Sequence, residues 1–130
     1  MNKYHASSTM YNGVRYASRA EARRAEVLDM MVRTGEIRFW IGQPKFRLGV
    51  PENVYVADFL VVCIRCVENP LLDNVWVEDV KGFSTPKFRH DVKLWKRYGT
   101  CPLHILRSPR GRSDMAPTVE VITPTPKDLQ

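Results

Sequence analysis

Between residues 18 and 35 the apolar positions recur with a helical period. Glu21, Ala25, Leu28 and Val32 share one face, and Ala22, Glu26, Asp29 and Arg33 form a polar stripe beside it. "SRAE" is a capping-box pattern that starts the helix at Ser18, and Gly35 fits the left-handed residue that follows a helix C-terminus. Short extended pieces follow, "IRFWI" and "KFRLGV", separated by "GQP". "VYVADFLVVCIRCV", residues 54–67, is rich in β-branched and aromatic side chains and predicts one long strand. After the turn-like "ENPLLDN", "VWVEDVK" predicts the next strand, which Gly82 ends. "STPKFRHDVKLWKRYG" predicts a second helix, capped by Ser84 or Thr85, with Pro86 near its first position and Gly99 at its stop. Phe88, Val92, Leu94 and Trp95 give that helix its apolar side. "PLHILR" predicts a further strand and "TVEVI" an edge strand. The order helix, three or so strands, helix, strand predicts an α/β fold with a mixed sheet between two helices. Residues 1–17 read as a polar arm with a turn at "YNGV", 18–107 as the core, and 108–130 as a Pro- and Arg-containing tail. There is no internal repeat.

The polar residues that interrupt this pattern carry the chemistry. Side chains alternate across a strand. Val75, Val77, Asp79 and Lys81 therefore share one face, and Trp76, Glu78 and Val80 the other. Asp58 shares a face with Val56, Leu60 and Val62, an acid among strand formers, and burying a charge is costly unless it is paired or binds a metal. If the two strands are neighbours, Asp58 meets Asp79. Glu21, in the first turn of the first helix and on its sheet-facing stripe, reaches the rim of the core and adds a third carboxylate. Glu78 is expected to turn away, at the surface or behind the site. Three converging carboxylates repel unless a cation lies between them, and their oxygens suit Mg²⁺ or Mn²⁺. Lys81 is then placed to orient water or stabilise developing negative charge.

Charge sharpens the expectation. Residues 1–35 sum to +3, 36–80 to −3, 81–112 to +8 and 113–130 to −2, within a total of +6. An acidic middle between basic flanks suits a polyanion held near an acidic cluster. At 130 residues, 44% hydrophobic and 26% charged, the chain suits one domain with one core. It shows neither an apolar run near the ~18 residues of a membrane span nor a signal-peptide core at its start. A membrane or secreted product is not expected. An odd number of cysteines, three, does not suggest a disulfide framework.

Asp58, followed after a hairpin-sized gap by Asp79-Val80-Lys81, resembles the D…(D/E)-x-K signature of the PD-(D/E)xK nuclease superfamily. The ordered stretches "GVRYASRAEARRAEVL", "QPKF", "YVADF", "VEDVKGFST" and the helix bearing Lys93 make the likeness more specific, pointing to its small phage-encoded, Holliday-junction-resolvase-like members. It covers roughly residues 3–107, with Ala57 where the superfamily name has proline. The resemblance implies an αβββαβ, restriction-endonuclease-like core and Mg²⁺-dependent cleavage of DNA, with Mn²⁺ able to substitute. It implies that Glu21, Asp58 and Asp79 are metal-site acids and Lys81 the catalytic lysine. It also implies a homodimer acting on branched DNA in the cytoplasm of the host cell, in DNA recombination. Two other readings stay open: a nuclease for single-stranded, flapped or nicked DNA, and a non-catalytic nucleic-acid-binding module.

Lys87, Arg89, Lys93, Lys96 and Arg97 on the second helix are candidate phosphate contacts, as are Arg107, Arg110 and Arg112 at the start of the tail. Lys3, Arg15 and Arg19 could act likewise from the N-terminal side. A rival motif, Cys63-x-x-Cys66 with Cys101-x-x-His104, has zinc-like spacing, but Cys63 and Cys66 would face opposite sides of a strand and "CIRC" has no turn. Mostly buried thiols are the expected reading. His5 and His90 have no partner spacing.

Overall fold

In the computed structural model, residues 8–63, 74–108 and 116–125 are described. Asn12 and Gly13, both at positive φ, turn strand β1 (Thr9–Tyr11) into β2 (Val14–Tyr16), the backbone that a tight hairpin requires. The expected polar arm thus ends in a hairpin, and the Tyr11 hydroxyl ties it to the next helix by donating to Asp29 Oδ2 at 2.5 Å.

Helix α1 spans Arg19–Thr34. The Glu21 N–H donates to Ser18 Oγ at 3.1 Å, and Gly35 closes the helix at φ 80°. Its buried stripe is Ala22, Ala25 and Leu28. This differs from the expected face: Ala22 is buried and Val32 is 36% exposed. Ala25 and Leu28 pack on the sheet cluster, whereas Ala22 lies beside the β1 strand of the hairpin, which the expected face did not include.

The next strands are β3 (Phe39–Gly42), β4 (Lys45–Arg47), β5 (Val54–Val56), β6 (Phe59–Val62) and β7 (Val75–Val80). Helix α2 (Pro86–Tyr98) and strands β8 (Leu103–Arg107) and β9 (Thr118–Ile122) complete the order. Thr85 is the cap of α2, its Oγ1 accepting the Phe88 N–H at 3.1 Å. The central sheet runs β3-β6-β7-β8-β9, parallel only between β7 and β8, where α2 makes the crossover. The α, β, β, β, α, β order expected of the core is therefore present as α1, β3, β6, β7, α2 and β8. β9 adds an antiparallel edge, and β4 pairs with β5 in a small sheet of its own. Both edges of the central sheet carry half-exposed apolar residues, Phe39 and Ile41 on β3 and Val119 and Val121 on β9.

Each face of the sheet holds one apolar cluster. Ala25, Leu28, Ile37, Phe59 and Val61 lie under α1, with Trp40, Trp76 and Val80 beside them. Val77, Ile105, Leu103, Phe88 and Trp95 lie under α2, together with Tyr55, Ala57 and Leu48. Gly49, at φ 84°, sits against Tyr98, whose ring carbon would stand 2.7 Å from an added Cβ. Among the described residues no helix is long and apolar enough to cross a membrane.

The face assignment of α1 is testable. Leu28→Ala should cost about 2–5 kcal/mol of unfolding free energy, whereas Val32→Ala should change it by no more than about 0.5 kcal/mol. Denaturant melts of the two variants read the difference.

Candidate active site

The predicted long strand over residues 54–67 is broken at Ala57–Asp58. Ala57 N–H donates to Pro44 O on the small-sheet side, whereas Asp58 N–H donates to Glu78 O of β7, each at 3.1 Å. One residue thus separates a chain paired with β4 from a chain paired with β7. The part of the predicted strand beyond Cys63 lies outside the described residues. Asp58 stands at the switch, and its Oδ2 accepts the Val80 N–H at 2.7 Å. Its side chain supplies the acceptor that a β-strand would otherwise offer by its backbone.

The alternation along β7 is as expected. Asp79 lies on the α2 side, 1% exposed, with its Oδ2 accepting a hydrogen bond from the Tyr55 hydroxyl. Its Oδ1 lies 3.2 Å from Lys81 Nζ, yet is buried without a hydrogen-bond partner. The Lys81 ammonium also sits 4.5 Å from the centroid of the Phe88 ring, which keeps it beside the acid. Glu78 turns the other way, toward α1, but it is not a surface residue. It is fully buried and accepts two hydrogen bonds from Arg24, both at 2.7 Å, and one from Trp76 Nε1 at 2.9 Å. The surface expectation for Glu78 fails because Arg24 reaches it from α1.

Asp58, Asp79 and Lys81 are therefore brought together. Glu21 is held slightly apart at the helix start: it is half-buried, and the Ser18 hydroxyl donates to its Oε1 at 3.4 Å. It lines one cleft with Asp58, Tyr16, Trp40 and Gln43. Lys81 lines a second with Tyr55, Lys87, Phe88 and Asp91. Asp79 interacts with members of both. Burial, then the Asp79 and Glu21 carboxylates, push the Asp58 carboxyl up to about 8. Burial, and secondarily Asp79, also raise Glu21. Burial and the neighbouring Asp79 charge hold the Tyr55 phenol far above its ordinary value, so it remains a donor.

This donor set is all oxygen, and like charges share one desolvated spot. Among the described residues no group of three or more His, Cys, Asp or Glu side chains is arranged to hold a metal ion by itself. Mg²⁺, however, is commonly held by one or two carboxylates, with water and phosphate oxygens in its other positions. Asp58 and Asp79 fit that requirement in the chemistry of their donors, two adjacent carboxylates, with Asp79 Oδ1 facing the Lys81 ammonium and holding no hydrogen bond.

The candidate cations of α2, Lys87, Arg89, Lys93, Lys96 and Arg97, are all exposed. Lys87 pairs with the buried Asp91 at 2.9 Å, and Arg89 donates to Ser84 O at 2.8 Å. Arg107 is half-buried and lies 3.6 Å from Glu120. Lys3, His5, Arg110, Arg112 and Cys66 lie outside the described residues. Of the other zinc candidates, Cys63 Sγ donates to Glu36 O at 3.3 Å, and the His104 ring stacks on Trp76 at 5.4 Å. Burial raises the Cys101 thiol.

Sequence reasoning missed Tyr55 and Arg24. Tyr55 shares a strand face with Ala57 in "VYVAD", and a buried tyrosine needs a hydrogen-bond partner; that was the available signal. Arg24 had none, since it looks like any other helix arginine.

The family model of DUF1064, described as a protein of unknown function, matches residues 1–112, and the chain belongs to this family. No curated protein and no solved structure matches the chain.

One prediction concerns the α1 side of β7 and another the carboxyl at the strand break. Removing Glu78 leaves the partly buried Arg24 guanidinium and Trp76 Nε1 without their acceptor, so Glu78→Ala should destabilise by about 2–4 kcal/mol; chemical denaturation measures it. For Asp58, the folded state keeps a proton between the ordinary value of 3.8 and about 8, whereas the unfolded chain has released it. Stability of the metal-free protein should therefore fall as pH rises through that window. His104, whose burial lowers its pKa, acts in the opposite sense at the acidic end. Asp58→Asn keeps an acceptor for Val80 N–H and should flatten the fall, read as the difference between variant and wild-type melts from about pH 5 to about pH 8 in a chelator.

Proposed function

We propose that this protein is a metal-dependent endodeoxyribonuclease that hydrolyses phosphodiester bonds in branched DNA. The observation that carries the reading is the buried Asp79 carboxylate, coupled to Asp58 and flanked by Lys81. Such a grouping is costly to a fold and useful mainly where a cation and a phosphate share it. The resemblance to PD-(D/E)xK nucleases, junction-resolving members in particular, supports the same reading. Asp58 and Asp79 are the residues to hold Mg²⁺, or Mn²⁺ in its place, with Glu21 at the rim. When bound, the metal supplies Lewis-acid polarisation of a phosphoryl oxygen and a more acidic water.

The chain's own groups have defined parts. Tyr55 holds Asp79 by hydrogen-bonding one oxygen, which leaves Oδ1 to the Lys81 ammonium 3.2 Å away. Lys81 is positioned to hold the attacking water or the negative charge that develops on phosphate oxygens. The water oxygen bonds to phosphorus as the bond to the leaving sugar oxygen breaks, and that oxygen takes up a proton. Lys87, Arg89, Lys93, Lys96 and Arg97 then contact phosphates along the duplex, with Arg107, Arg110 and Arg112 gripping a further arm. These contacts set affinity and position rather than base choice.

Two copies would hold two arms of a junction. Val119 and Val121, each 52% exposed on edge strand β9, offer an edge for a second copy. A phage enzyme working in the cytoplasm of the host, in DNA recombination, fits this reading.

The test is cleavage of plasmid, single-stranded and four-way-junction DNA with and without Mg²⁺. Asp79→Asn and Lys81→Ala should each lower cleavage by about 10²–10³-fold or more, with DNA binding retained. Paired cuts on the junction, and a dimer by sedimentation, are expected. Wild-type rates for either variant would move the chemistry elsewhere.

A further inference from the structure

The connection from β7 to α2, residues 81–85, is fixed at both ends. Lys81 N–H donates to Leu106 O at 2.9 Å, and Thr85 caps the helix. Ser84 is gripped by two guanidinium groups: Arg89 donates to its carbonyl at 2.8 Å, and Arg107 Nη2 to its Oγ at 3.4 Å. Between these fixed points Phe83 does not bury its ring. At 76% it is the most exposed of the large apolar side chains among the described residues. An added Cβ at the neighbouring Gly82 would meet nothing within 4 Å, so the chain leading to Phe83 is also uncovered.

A single exposed apolar residue is ordinary on a protein surface. The setting of this one is not. It stands two residues after Lys81 and directly before a serine held by two arginines, inside the segment of net charge +8. The loop is pinned, so the ring is presented rather than merely loose. A flat ring amid cations matches a nucleobase, whose phosphates the cations take while its face meets the ring. A fully paired duplex has no free base face to offer. We infer that Phe83 is a stacking platform for an unpaired nucleotide next to the proposed cleavage site. The inference rests on the nuclease reading only for the position of the cut. It narrows the substrate to DNA with a base out of its stack, as at a junction, flap or bulge.

The experiment reads binding without metal, so that it does not depend on cleavage. The protein is titrated, in a chelator, into a plain duplex and into the same duplex carrying one unpaired 2-aminopurine. Wild type should bind the second more tightly by about 5- to 150-fold, with a fluorescence change from stacking. Phe83→Ala and Phe83→Leu should lose that preference and the fluorescence change, Phe83→Trp should keep both, and duplex affinity should be alike in all four. Equal affinity of wild type for the two DNAs would overturn the inference. So would an unchanged preference in Phe83→Ala, or retention by leucine. If sedimentation showed Phe83→Ala converting a dimer to a monomer, the ring would belong to a protein contact instead, which also overturns it. Cleavage in Mg²⁺ is scored separately: wild type that stacks the base yet cuts no DNA would refute the nuclease reading and leave this one standing.

Discussion

Two carboxylates share one water-poor spot, and the rest of the arrangement follows from holding them there. Close like charges out of water repel strongly, and a protein can meet that by neutralising one of them, pairing one, or admitting a cation. Here the first two devices are in place. Burial and the Asp79 carboxylate push Asp58 toward its protonated form, and Asp79 has Tyr55 on one oxygen and Lys81 beside the other. Neither device satisfies Asp79 Oδ1 fully. The fold therefore carries a local electrostatic imbalance in its interior, on a residue that lines neither cleft itself but touches Tyr55 and Lys81 of one and acts on Asp58 of the other.

β7 divides this molecule chemically as well as physically. Glu78 and Asp79 are consecutive acids, both buried, yet they serve different ends because their side chains leave the strand in opposite directions. Glu78 is fully matched by Arg24 and Trp76, and its charge is spent on fixing α1 against the sheet. Asp79 is incompletely matched: one oxygen is hydrogen-bonded and the other has only the Lys81 ammonium beside it. A buried pair with both partners satisfied contributes mainly to holding a particular arrangement, whereas an unsatisfied group is the one able to act on something new.

How much of this was legible in the sequence depends on how local each signal is. The ends of both helices were, because Ser18, Gly35, Thr85, Pro86 and Gly99 act on their own neighbours. The opposite directions of Glu78 and Asp79 were, because alternation is a property of any strand. The break at Ala57–Asp58 was not. It is made by Pro44 and Glu78, which are distant in the chain, and "VYVADFLVV" has strand formers on both sides of it. The buried stripe of α1 was misread at its ends, since Ala22 is buried beside the N-terminal hairpin, a contact distant from any helix period, and Val32 stays exposed. Arg24 was invisible for the same reason: its partner is supplied by the sheet.

Among the described residues the central sheet ends at β3 and β9, each with apolar residues half in water, Phe39 and Ile41 on β3 and Val119 and Val121 on β9. Edges of this kind are templates for further strands, and a net charge of +6 opposes unspecific meeting of copies. That repulsion reaches only about 8 Å at physiological salt and less above it. Salt strong enough to strip a polyanion from this surface thus also removes the colloidal barrier between its sheets. The wash that cleans the protein of nucleic acid is the one under which its edges can meet.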